Sequence, residues 1–458
     1  MIRRGSSAMR QTYKLVGAVI SAGLLAACGG NNGLSSSTPL SVTPQIRPLG
    51  TSAHSLARSL SGSDTVLYSF RGGKKDGDIP IDGIIDVNGV LYGTTNDGGA
   101  SSSSNSRGCG TVFKITKSGN ERVIYSFLGG TDGCNPAPVP IEVNGTLYGT
   151  TLHGGSAGCG TVYKITTTGS ESVLYSFQGP STDGCVPIVG LIEVNGTLYG
   201  TTTGGGTSTK CPNYDGCGTV FKITTSGSEN VLYNFQGGKK DGSYPQGLIN
   251  VKGTLYGTTA TGSNRNPCTG GCGTVFRVTT SGQEQVLYAF KAGTDGASPD
   301  GLTDVKGTLY GTTGGGGGSV KCDYGCGTFF KVTTSGNETV LHRFQGGKRD
   351  GGYPALAMSL INVNGILYGD TQAGGTGSNC NFPKGYGCGT VFKITTSGAT
   401  TILHSFQGAT TDGSVPEGSL IDVSGMLYGV TAIGGTGTNC PPFGSQGYGC
   451  GTVFKTTP

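Results

Sequence analysis

The sequence predicts an all-β protein, a seven-bladed β-propeller of four-stranded antiparallel blades whose ring is closed by the N-terminal strand. The first reason is a tandem repeat, because three short motifs recur seven times each, always in the same order. Leu-Tyr-Gly motifs start at Leu91, Leu147, Leu198, Leu255, Leu309, Leu367 and Leu427; Gly-Cys-Gly motifs are centred on Cys109, Cys159, Cys217, Cys272, Cys326, Cys388 and Cys450; strands end at Phe70, Phe127, Phe177, Phe235, Phe290, Phe344 and Phe406. Four short strands at a period of roughly 50–60 residues are typical of propeller blades, which must stack to bury both faces.

The second reason is the composition of each repeat, which contains four β-prone runs. In the copy at residues 191–235 these are A (Leu-Ile-Glu-Val), B (Thr-Leu-Tyr-Gly-Thr-Thr), C (Gly-Thr-Val-Phe-Lys-Ile-Thr) and D (Asn-Val-Leu-Tyr-Asn-Phe). Val, Ile, Phe, Tyr and Thr suit a pleated, half-buried surface. Asn195-Gly196 between A and B is a strong hairpin signal, because both turn residues need positive φ. Tight turns therefore join A to B and C to D, whereas long Gly-rich loops join B to C and D to A.

The third reason is an offset between the two ends of the repeat region. It opens with a D-type strand at residues 65–70 and ends with a C-type strand at residues 451–457. The last blade therefore lacks a D strand that the N-terminus can supply, and this pairing removes two exposed sheet edges. An open β-solenoid is the alternative. It would have no use for the offset and would want polar capping repeats, which the sequence does not show.

The composition argues against several function classes. Gly accounts for 89 of the 458 residues, in turns and loops and without a collagen period. Charged residues make up only 12%, the net charge is +5, and the Lys and Arg residues are dispersed through the repeats. Because nucleic-acid binding needs a concentrated basic surface, we expect no nucleic-acid partner.

The N-terminal region is a predicted lipoprotein signal peptide at residues 1–28. Arg3, Arg4, Arg10 and Lys14 precede an apolar stretch of 13 residues, too short for a permanent membrane span, which ends in Leu-Ala-Ala-Cys. This ending is typical of a bacterial lipobox, so Cys28 is the expected lipid anchor; an ordinary signal peptide with a chance cysteine is the alternative. Residues 29–63, rich in Ser, Gly and Pro, form the predicted flexible tether, and residues 64–458 the propeller. Gly29 rather than Asp follows Cys28, which favours the outer membrane or cell surface of a bacterium.

The repeat as a whole resembles the GloVer tandem-repeat family of bacterial exported proteins, through Leu-Tyr-Gly-Thr-Thr, Gly-Gly, Gly-Thr-Val-Phe-Lys-Ile-Thr, Val-Leu-Tyr-Ser-Phe and Asp-Gly in succession. The resemblance covers about residues 64–458 and implies export and a propeller-like array, but no catalytic residues. The chain departs from the pattern at Asp370 and Val430, where the first Thr of Thr-Thr is expected, and at His342 and His404, which replace Tyr.

The cysteines predict seven disulfides. Of 15 cysteines, Cys28 is assigned to lipid, and five B–C loops contain a local pair. The first two B–C loops contain one cysteine each, and only the two D–A loops that follow contain a cysteine, directly after Asp-Gly. Both loop types lie on one face of a propeller, so these partners can meet. The expected pairs are Cys109–Cys134, Cys159–Cys185, Cys211–Cys217, Cys268–Cys272, Cys322–Cys326, Cys380–Cys388 and Cys440–Cys450.

Metal binding by these cysteines is the alternative, since two pairs have a Cys-x-x-x-Cys spacing. A zinc site needs about four N or S ligands, each loop offers two, and the chain has four His. Export to an oxidising compartment also favours disulfides. We therefore expect no metal and no cofactor.

Acidic residues also follow the repeat, directly before Gly, and they are expected on the same face as the cysteine loops. They are Asp76, Asp132, Asp183, Asp241, Asp295, Asp350 and Asp412. A ring that binds a cation or a sugar is one interpretation. The simpler one is an Asp-Gly turn, in which the carboxylate accepts hydrogen bonds from nearby backbone N–H groups.

Because catalysis usually breaks symmetry, the departures from the repeat are the candidates for chemistry. His342 and His404 occupy strand positions and are interpreted as structural. His153, in a short B–C loop, and Asp370 are candidate residues on the ligand face. No Gly-x-Ser-x-Gly elbow, His-Glu-x-x-His motif or phosphate loop occurs, so no catalytic residue is assigned.

These observations favour a non-enzymatic, lipid-anchored, monomeric binding module of the cell surface. Its ligand, carbohydrate or protein, is expected at the long B–C loops, for example 203–216, 260–271, 372–387 and 432–449. A surface polysaccharide hydrolase or lyase and a purely structural envelope protein are the alternatives. Symmetry-breaking carboxylates that converge at one mouth would favour the enzyme, whereas a ring of equivalent turn residues favours the module.

Overall fold

The computed structural model of the protein describes residues 65–100, 107–136, 139–211, 215–263, 268, 270–354, 360–380, 387–408, 410, 412–440 and 449–458. The predicted signal peptide, the lipobox cysteine Cys28 and the predicted tether lie outside these residues. Within the described ranges, no helix is both long and apolar enough to cross a membrane.

The described residues form seven antiparallel blades, each with the strand order A–B–C–D, which confirms the predicted fold class. The B strands are Val90–Thr95, Thr146–His153, Thr197–Thr202, Thr254–Gly262, Thr308–Gly316, Ile366–Gly374 and Met426–Gly434. The C strands are Thr111–Thr116, Thr161–Thr166, Thr219–Thr224, Thr274–Thr279, Thr328–Thr333, Thr390–Thr395 and Thr452–Thr456. The D strands of blades one to six are Glu121–Ser126, Glu171–Ser176, Glu229–Asn234, Glu284–Ala289, Glu338–Arg343 and Thr400–Ser405.

The A strands are longer than their sequence motif. In blades four and five they run without interruption from the Asp-Gly turn, as Gly242–Val251 and Gly296–Val305. Elsewhere an irregular segment divides them into a short upper piece and a lower piece. The lower pieces are Ile84–Val87, Ile141–Val143, Ile192–Val194, Ile361–Val363 and Ile421–Val423. The upper pieces are Gly77–Asp78, Cys134–Pro136, Gly184–Cys185, Gly351–Pro354 and Gly413–Pro416. Two further short strands pair with upper pieces: Asp97–Gly98 with that of blade one and Gly204–Gly205 with that of blade three. A short 3-10 turn is formed by Gly130–Asp132.

The N-terminal strand closes the ring, as predicted. Thr65–Ser69 pairs antiparallel with Thr452–Thr456 and supplies the D strand of blade seven, with Ser69 opposite Thr452. At the centre, Gly83 of blade one forms a parallel bridge with Ser419 of blade seven. The segment that leads into blade one therefore supplies the outer strand of blade seven, and the two blades also meet at the inner edge, which excludes the open solenoid.

The sheet order also identifies the innermost strand, which the sequence left open. A strands contact A strands of neighbouring blades, as in blades four and five, whereas D strands lie at the opposite edge of each sheet. The A strands therefore line the axis and the D strands form the outer rim. The apolar core lies between blades rather than inside them. One cluster joins Val194, Tyr199 and Phe235 of blade three to Leu255 and Phe276 of blade four.

Each blade is also hydrogen-bonded to the blade before it through the Gly-Cys-Gly motif. The residue before the A-strand proline donates its backbone N–H to the carbonyl oxygen of the preceding motif cysteine, at 2.8–3.1 Å. The donors are Ile79, Asn135, Val186, Tyr244, Ser298, Tyr353 and Val415, all with φ between 51° and 59°. Such φ values are unusual for β-branched residues, and this repeated inter-blade bond is what holds them. The second Gly of the motif is required, because a Cβ on Gly218 would overlap the Pro245 ring and the Thr202 carbonyl oxygen.

Candidate functional site: the loop face and the axial carboxylates

The loop face, where the B–C and D–A loops lie, is fastened by disulfides. Cys109–Cys134 and Cys159–Cys185 link the B–C loop of one blade to the start of the next blade, with Cα atoms 4.5 Å apart. Five local pairs close single loops: Cys211–Cys217, Cys268–Cys272, Cys322–Cys326, Cys380–Cys388 and Cys440–Cys450. All seven are the pairs that the cysteine pattern predicted, and the first two show that both loop types share one face.

The seven ring aspartates act inside their own turns. In blade four, Asp241 accepts hydrogen bonds from the Tyr233 hydroxyl (3.0 Å), the Gln236 N–H (2.6 Å) and the Gly242 N–H (2.7 Å). At four other boundaries the equivalent aspartate accepts a hydrogen bond from the equivalent tyrosine hydroxyl, at 2.6–2.9 Å. These aspartates are Asp76, Asp132, Asp183 and Asp295. Carboxylate oxygens used in this way are satisfied within the fold; the buried Oδ1 of Asp295 is an exception, since both of that residue's hydrogen bonds go to Oδ2. The arrangement supports the turn interpretation of the ring over a ligand-binding one.

The two histidines that replace tyrosine keep the same contact. His342 and His404 place Nε2 3.2 Å from the carboxylates of Asp350 and Asp412, respectively. Both aspartates also accept a backbone N–H, from Gln345 and from Gln407. The sequence interpretation of these histidines as structural agrees with this placement.

A glutamate from the next blade faces each of the five tyrosines. The pKa of these glutamates is raised to about 7, first by burial and then by the neighbouring aspartate charge. They are Glu121, Glu171, Glu229, Glu284 and Glu338. The tyrosine proton is already donated to aspartate, so a neutral glutamate carboxyl can donate to the phenol oxygen, whereas an ionised one cannot. No sequence motif indicated this layer of glutamates.

His153 does not join the other candidates. It ends the B strand of blade two, where its Cα is paired with that of Cys134 across the ladder, and burial lowers the pKa of its imidazole. Asp370 lies in blade six, in the inward-facing position that threonine occupies in most blades. The structure therefore separates these two symmetry-breaking residues.

Asp370 instead belongs to a cluster that we call the axial carboxylates, Asp82, Asp370 and Glu417, from blades one, six and seven. Asp82 and Asp370 are 9% and 5% exposed. Burial raises the pKa of Asp82 to about 7; burial and the charge of Asp82 raise that of Glu417 to about 8; burial and the charge of Glu417 raise that of Asp370 well above its ordinary value. The charge of Glu417 thus interacts with those of both other carboxylates. Glu417 itself is half-buried, and Gln372 donates a hydrogen bond to its Oε1 at 2.9 Å.

Glycines allow this convergence. At the axis a Cβ on Gly83 would overlap the Ser419 carbonyl oxygen, and a Cβ on Gly418 would overlap the Gly83 nitrogen. The chains of blades one and seven therefore meet backbone to backbone, which brings the neighbouring Asp82 and Glu417 together. Ile81 beside Asp82 packs in an apolar cluster with residues of blades two and seven, so the surroundings have a low dielectric constant.

A second acidic pair lies on the loop face of blade one. Asp78 and Asp97, 1% and 5% exposed, are cross-strand partners. Asp97 accepts from Asn96 (3.0 Å) and Asn135 (3.1 Å), and its Oδ2 lies 3.6 Å from Arg107. Burial and the Asp97 charge raise the pKa of Asp78 to about 8. In blade four the same two positions hold Ser243 and Thr261, whose hydroxyls are 2.8 Å apart.

The Asp78 carboxylate also lies within 4.8 Å of the sulfurs of Cys440 and Cys450. Those sulfurs are bonded to each other, so they are not free to act as ligands. Asp78 occupies the position of Cys134 and Cys185, which reach the motif cysteine of the preceding blade. Its closeness to Cys450 follows from that shared geometry.

Asp82, Glu417, Asp78 and Asp97 were not selected from the sequence. A signal existed, because residues after the A-strand proline can be aligned blade by blade. That alignment places Glu417 opposite Ile81 and Ile188, and Asp82 opposite Val189. These departures lie outside the motifs that all blades share, in the least regular part of the repeat, so a search for shared motifs does not find them.

The model of the family described as the Gloeobacter/Verrucomicrobia repeat matches residues 55–269, 99–322 and 265–458. These overlapping matches cover the whole repeat region, and the chain belongs to this family. Among curated proteins, none matches the chain significantly.

Solved structures with a similar arrangement share little sequence. The computationally designed Ika8 protein is 13% identical, with 86% of this chain and 99% of that chain covered and a TM-score of 0.44. BamB from Moraxella catarrhalis is 12% identical, with 86% and 100% covered and a TM-score of 0.44. A luciferin-regenerating enzyme is 14% identical, with 69% and 88% covered and a TM-score of 0.38. Likenesses at these scores carry no argument about what this chain does.

Proposed function

We propose that this member of the Gloeobacter/Verrucomicrobia repeat family is a lipid-anchored, non-enzymatic binding module of the bacterial cell surface, with its ligand on the loop face. One observation carries the proposal. Each B–C loop contains or adjoins a disulfide on the same face, while the loops themselves differ in length and sequence. Binding residues are commonly found on variable loops that a rigid scaffold positions.

The use of the ring aspartates supports binding rather than chemistry. Seven carboxylates on one face could have formed an acid–base array, but each is occupied by hydrogen bonds from its own turn or D strand. The supporting contacts repeat around the ring, as expected of fold-forming residues. The variable residues of the loops, rather than the ring aspartates, would then recognise the ligand. The proposed ligand is a carbohydrate or a protein.

A surface polysaccharide hydrolase or lyase is the second candidate, and the axial carboxylates are the observation that favours it. They break the symmetry of the repeat and come from three blades. The burial of Asp82 and Asp370 is the counter-argument, since a general acid must come within about 3 Å of the bond it protonates, and the half-buried Glu417 would then act alone. Asp370 and Asp82 are 5% and 9% exposed, so a polysaccharide cannot reach them in this arrangement. The binding module is therefore the first proposal.

A glycan and peptide array probed with the exported protein tests the binding proposal. Retention of a specific ligand is expected, and exchanging residues 375–388 for residues 317–326 should weaken it. Both segments begin after the B strand and close a disulfide, Cys380–Cys388 in one case and Cys322–Cys326 in the other, so the exchange preserves the scaffold. The reverse exchange is the matched control. Failure of the array to retain any ligand, or a ligand indifferent to every loop exchange, contradicts the proposal.

The anchor is tested separately. The sequence Leu-Ala-Ala-Cys at residues 25–28 supports acylation of Cys28, which would bury acyl CH₂ groups at about 0.8 kcal/mol each. Cys28→Ser is expected to release the protein from membranes, and mass spectrometry of the wild type should find a lipid-modified N-terminal cysteine. Unmodified wild-type protein that fractionates like the variant would refute the anchor without affecting the loop-face proposal.

A further inference from the structure

The loop face carries an excess of basic side chains. Lys and Arg are dispersed along the sequence, but the exposed charged residues of the described B–C and D–A loops are all basic apart from Asp215 and Asp323. The turns of the opposite face expose both signs, for example Glu142 and Lys252. The fold therefore gives the protein one positive face, which attracts anions.

Two clusters on this face are built in the same way. In each, a lysine directly precedes the first cysteine of the B–C loop, and two basic residues directly precede the ring aspartate of the following D–A loop. The blade-three cluster is Lys210, Lys239 and Lys240, and the blade-five cluster is Lys321, Lys348 and Arg349; all six side chains are exposed. None of the ion pairs among the described residues includes any of them.

A hydrogen bond between the two loops brings each cluster together. In blade five the Ser319 hydroxyl donates to the Gln345 carbonyl oxygen at 3.1 Å, two residues before Lys321. A Cβ placed on Gly347 would lie 3.5 Å from Lys321 Nζ, so this ammonium group lies beside the basic residues of the D–A loop. Blade three has the same bond, from Ser208 to the equivalent carbonyl oxygen at 3.1 Å.

The acidic residues next to the clusters in sequence point inward. The Asp241 carboxylate accepts hydrogen bonds from the Tyr233 hydroxyl and from backbone N–H groups. Asp350 contacts His342 Nε2 and likewise accepts backbone N–H groups. The ammonium and guanidinium groups point to solvent instead, so the exposed part of each cluster is positive and is available to an anion.

Blade six shows that the fold does not require these charges. Its B–C loop has Asn379 in place of the lysine, and its D–A loop, residues 407–412, has Thr-Thr in place of the two basic residues at the same loop length. Asn379 still forms a bridge with Gly408, so the two loops meet as they do in the other blades. The basic residues of blades three and five therefore serve something other than loop packing.

We propose that the blade-three and blade-five clusters bind the acidic groups of an anionic polysaccharide. This inference rests on the proposed function, since it assigns a chemical class to the ligand of the loop face. Lysine and arginine form charge-assisted hydrogen bonds with carboxylate and with sulfate or phosphate groups. A polymer with regularly repeated acidic groups can contact both clusters at once, and this bivalence strengthens binding without further contacts.

Other observations favour a polysaccharide over other anions. Protein interfaces have an apolar centre, but the described loops expose only two large apolar residues, Leu128 and Val320, in different blades. Single-stranded nucleic acid stacks on aromatic rings, and no described Phe or Tyr is exposed. The N-terminal strand runs from Thr65 toward the loop face, so an anchor that precedes Thr65 joins the opposite face, away from its own membrane.

The repeat supplies matched variants. Two triple variants give the clusters the residues of blade six: Lys210→Asn with Lys239→Thr and Lys240→Thr, and Lys321→Asn with Lys348→Thr and Arg349→Thr. The control removes three positive charges outside the loop face, and each change copies another blade: Arg122→Ser, Lys252→Asn and Lys306→Asn. All three variants have the same net charge, and an unchanged Tm verifies that they fold.

The experiment measures binding of the full exported chain to immobilised polygalacturonate, dextran sulfate and neutral dextran. Wild type should bind at least one of the two acidic polymers but not dextran, and binding should weaken as NaCl is raised. Each cluster variant should bind about fivefold more weakly or worse, and the combined variant more weakly still. The control should stay within about twofold of wild type.

Several results would overturn the inference. They are wild-type protein that binds neither acidic polymer, cluster variants that bind as well as the control, and equally tight binding of polyglutamate, single-stranded DNA or anionic phospholipid vesicles. The proposed function is judged separately by the glycan and peptide array. An array ligand that responds to the loop exchange but not to the cluster variants would refute the anionic ligand and leave the loop-face binding module intact.

Discussion

At the residue scale, two substitutions at the outer rim occur together within this one chain. Five D strands begin with a glutamate that faces a tyrosine of the preceding blade. The other two positions hold Asp64 and Thr400, and in both cases the preceding blade has a histidine, His404 or His342, in place of the tyrosine. The imidazole keeps the contact with the ring aspartate where the glutamate is missing.

The first prediction concerns a ring aspartate. Asp241→Ala leaves the Tyr233 hydroxyl and the N–H groups of Gln236 and Gly242 without their acceptor. Because buried donors that lose their partner are costly, the free energy of unfolding should fall by about 2–3 kcal/mol in a denaturant titration. Asn250→Ala removes one exposed turn bond of the same blade and should change it by less than about 1 kcal/mol. Equal losses for the two variants would contradict the role assigned to the ring.

The second prediction concerns pH. The pKa of the five rim glutamates is about 7 in the folded state, against an ordinary value of 4.5. The folded state holds these protons more tightly, so their contribution to stability is complete below about pH 4.5 and is lost as pH rises through about 7. Tm should therefore fall between pH 5 and pH 8. Burial lowers the pKa of His153, so this residue acts in the opposite direction, but it is a single group.

Glutamine variants test the source of this pH dependence. Replacing Glu121, Glu171, Glu229, Glu284 and Glu338 together should make the Tm profile between pH 5 and pH 8 clearly less steep. A smaller slope should remain, because burial raises the pKa of Asp78, Asp82 and Glu417 in the same direction. The exposed Glu142 and Glu193, replaced in the same way, provide the control. A profile that stays equally steep in the fivefold variant would assign the pH dependence to other groups.

At the element scale, the strands of one blade are joined to the next by two kinds of device. Backbone hydrogen bonds from the residue before the A-strand proline occur at every boundary. Disulfides cross only the boundaries of blades one–two and two–three, because Cys134 and Cys185 are placed at the start of an A strand. Elsewhere the disulfides stay within one B–C loop.

The third prediction follows from loop length. In the chain-entropy model, Cys109–Cys134 closes 25 residues and contributes about 3.5 kcal/mol, whereas Cys268–Cys272 closes four residues and contributes about 2 kcal/mol. Double serine variants of each pair should differ accordingly in chemical unfolding. Non-reducing peptide mapping of the wild type should find Cys109 joined to Cys134 and Cys159 to Cys185. A Cys109–Cys159 peptide would disprove the pairing.

At the scale of the whole molecule, ring closure depends on a strand that is distant in sequence from its partner. Thr65–Ser69 pairs with Thr452–Thr456, and Phe70 enters the same apolar cluster as Phe113 of blade one and Val453 of blade seven. The inner edge closes through Gly83 and Ser419. Losing the first strand therefore removes both a ladder and part of a core.

The fourth prediction is that deleting residues 29–70 behind the intact signal region lowers Tm strongly and causes aggregation, because blade seven is left with an unpaired edge. Deleting only residues 29–63 is the control and should leave Tm unchanged, since the predicted tether lies outside the propeller. A peptide of residues 64–71 added to the longer deletion should restore part of the lost stability. If the longer deletion stays monomeric with an unchanged Tm, the N-terminal strand is dispensable for closure.

The sequence by itself determined the blade count, the strand types, the closing strand and the seven disulfide pairs. These properties follow from local signals that each blade repeats, such as Asn-Gly turns, Gly-Cys-Gly motifs and alternating apolar residues. Where the strand or turn signal of one copy is ambiguous, the other copies resolve it. It also allowed a structural role to be expected for His342 and His404, since both replace a residue whose position in the blade was already known.

Only the tertiary structure decided which strand is innermost and which carboxylates meet. Asp82, Asp370 and Glu417 are far apart in sequence and fall in three different blades, so no local pattern connects them. Asp82 and Glu417 become neighbours because the A strands line the axis and because Gly83 and Gly418 let two backbones touch there. The energetic consequence of an acidic residue depends on its burial and on its neighbours, and both are set by the closing of the ring rather than by the residue itself.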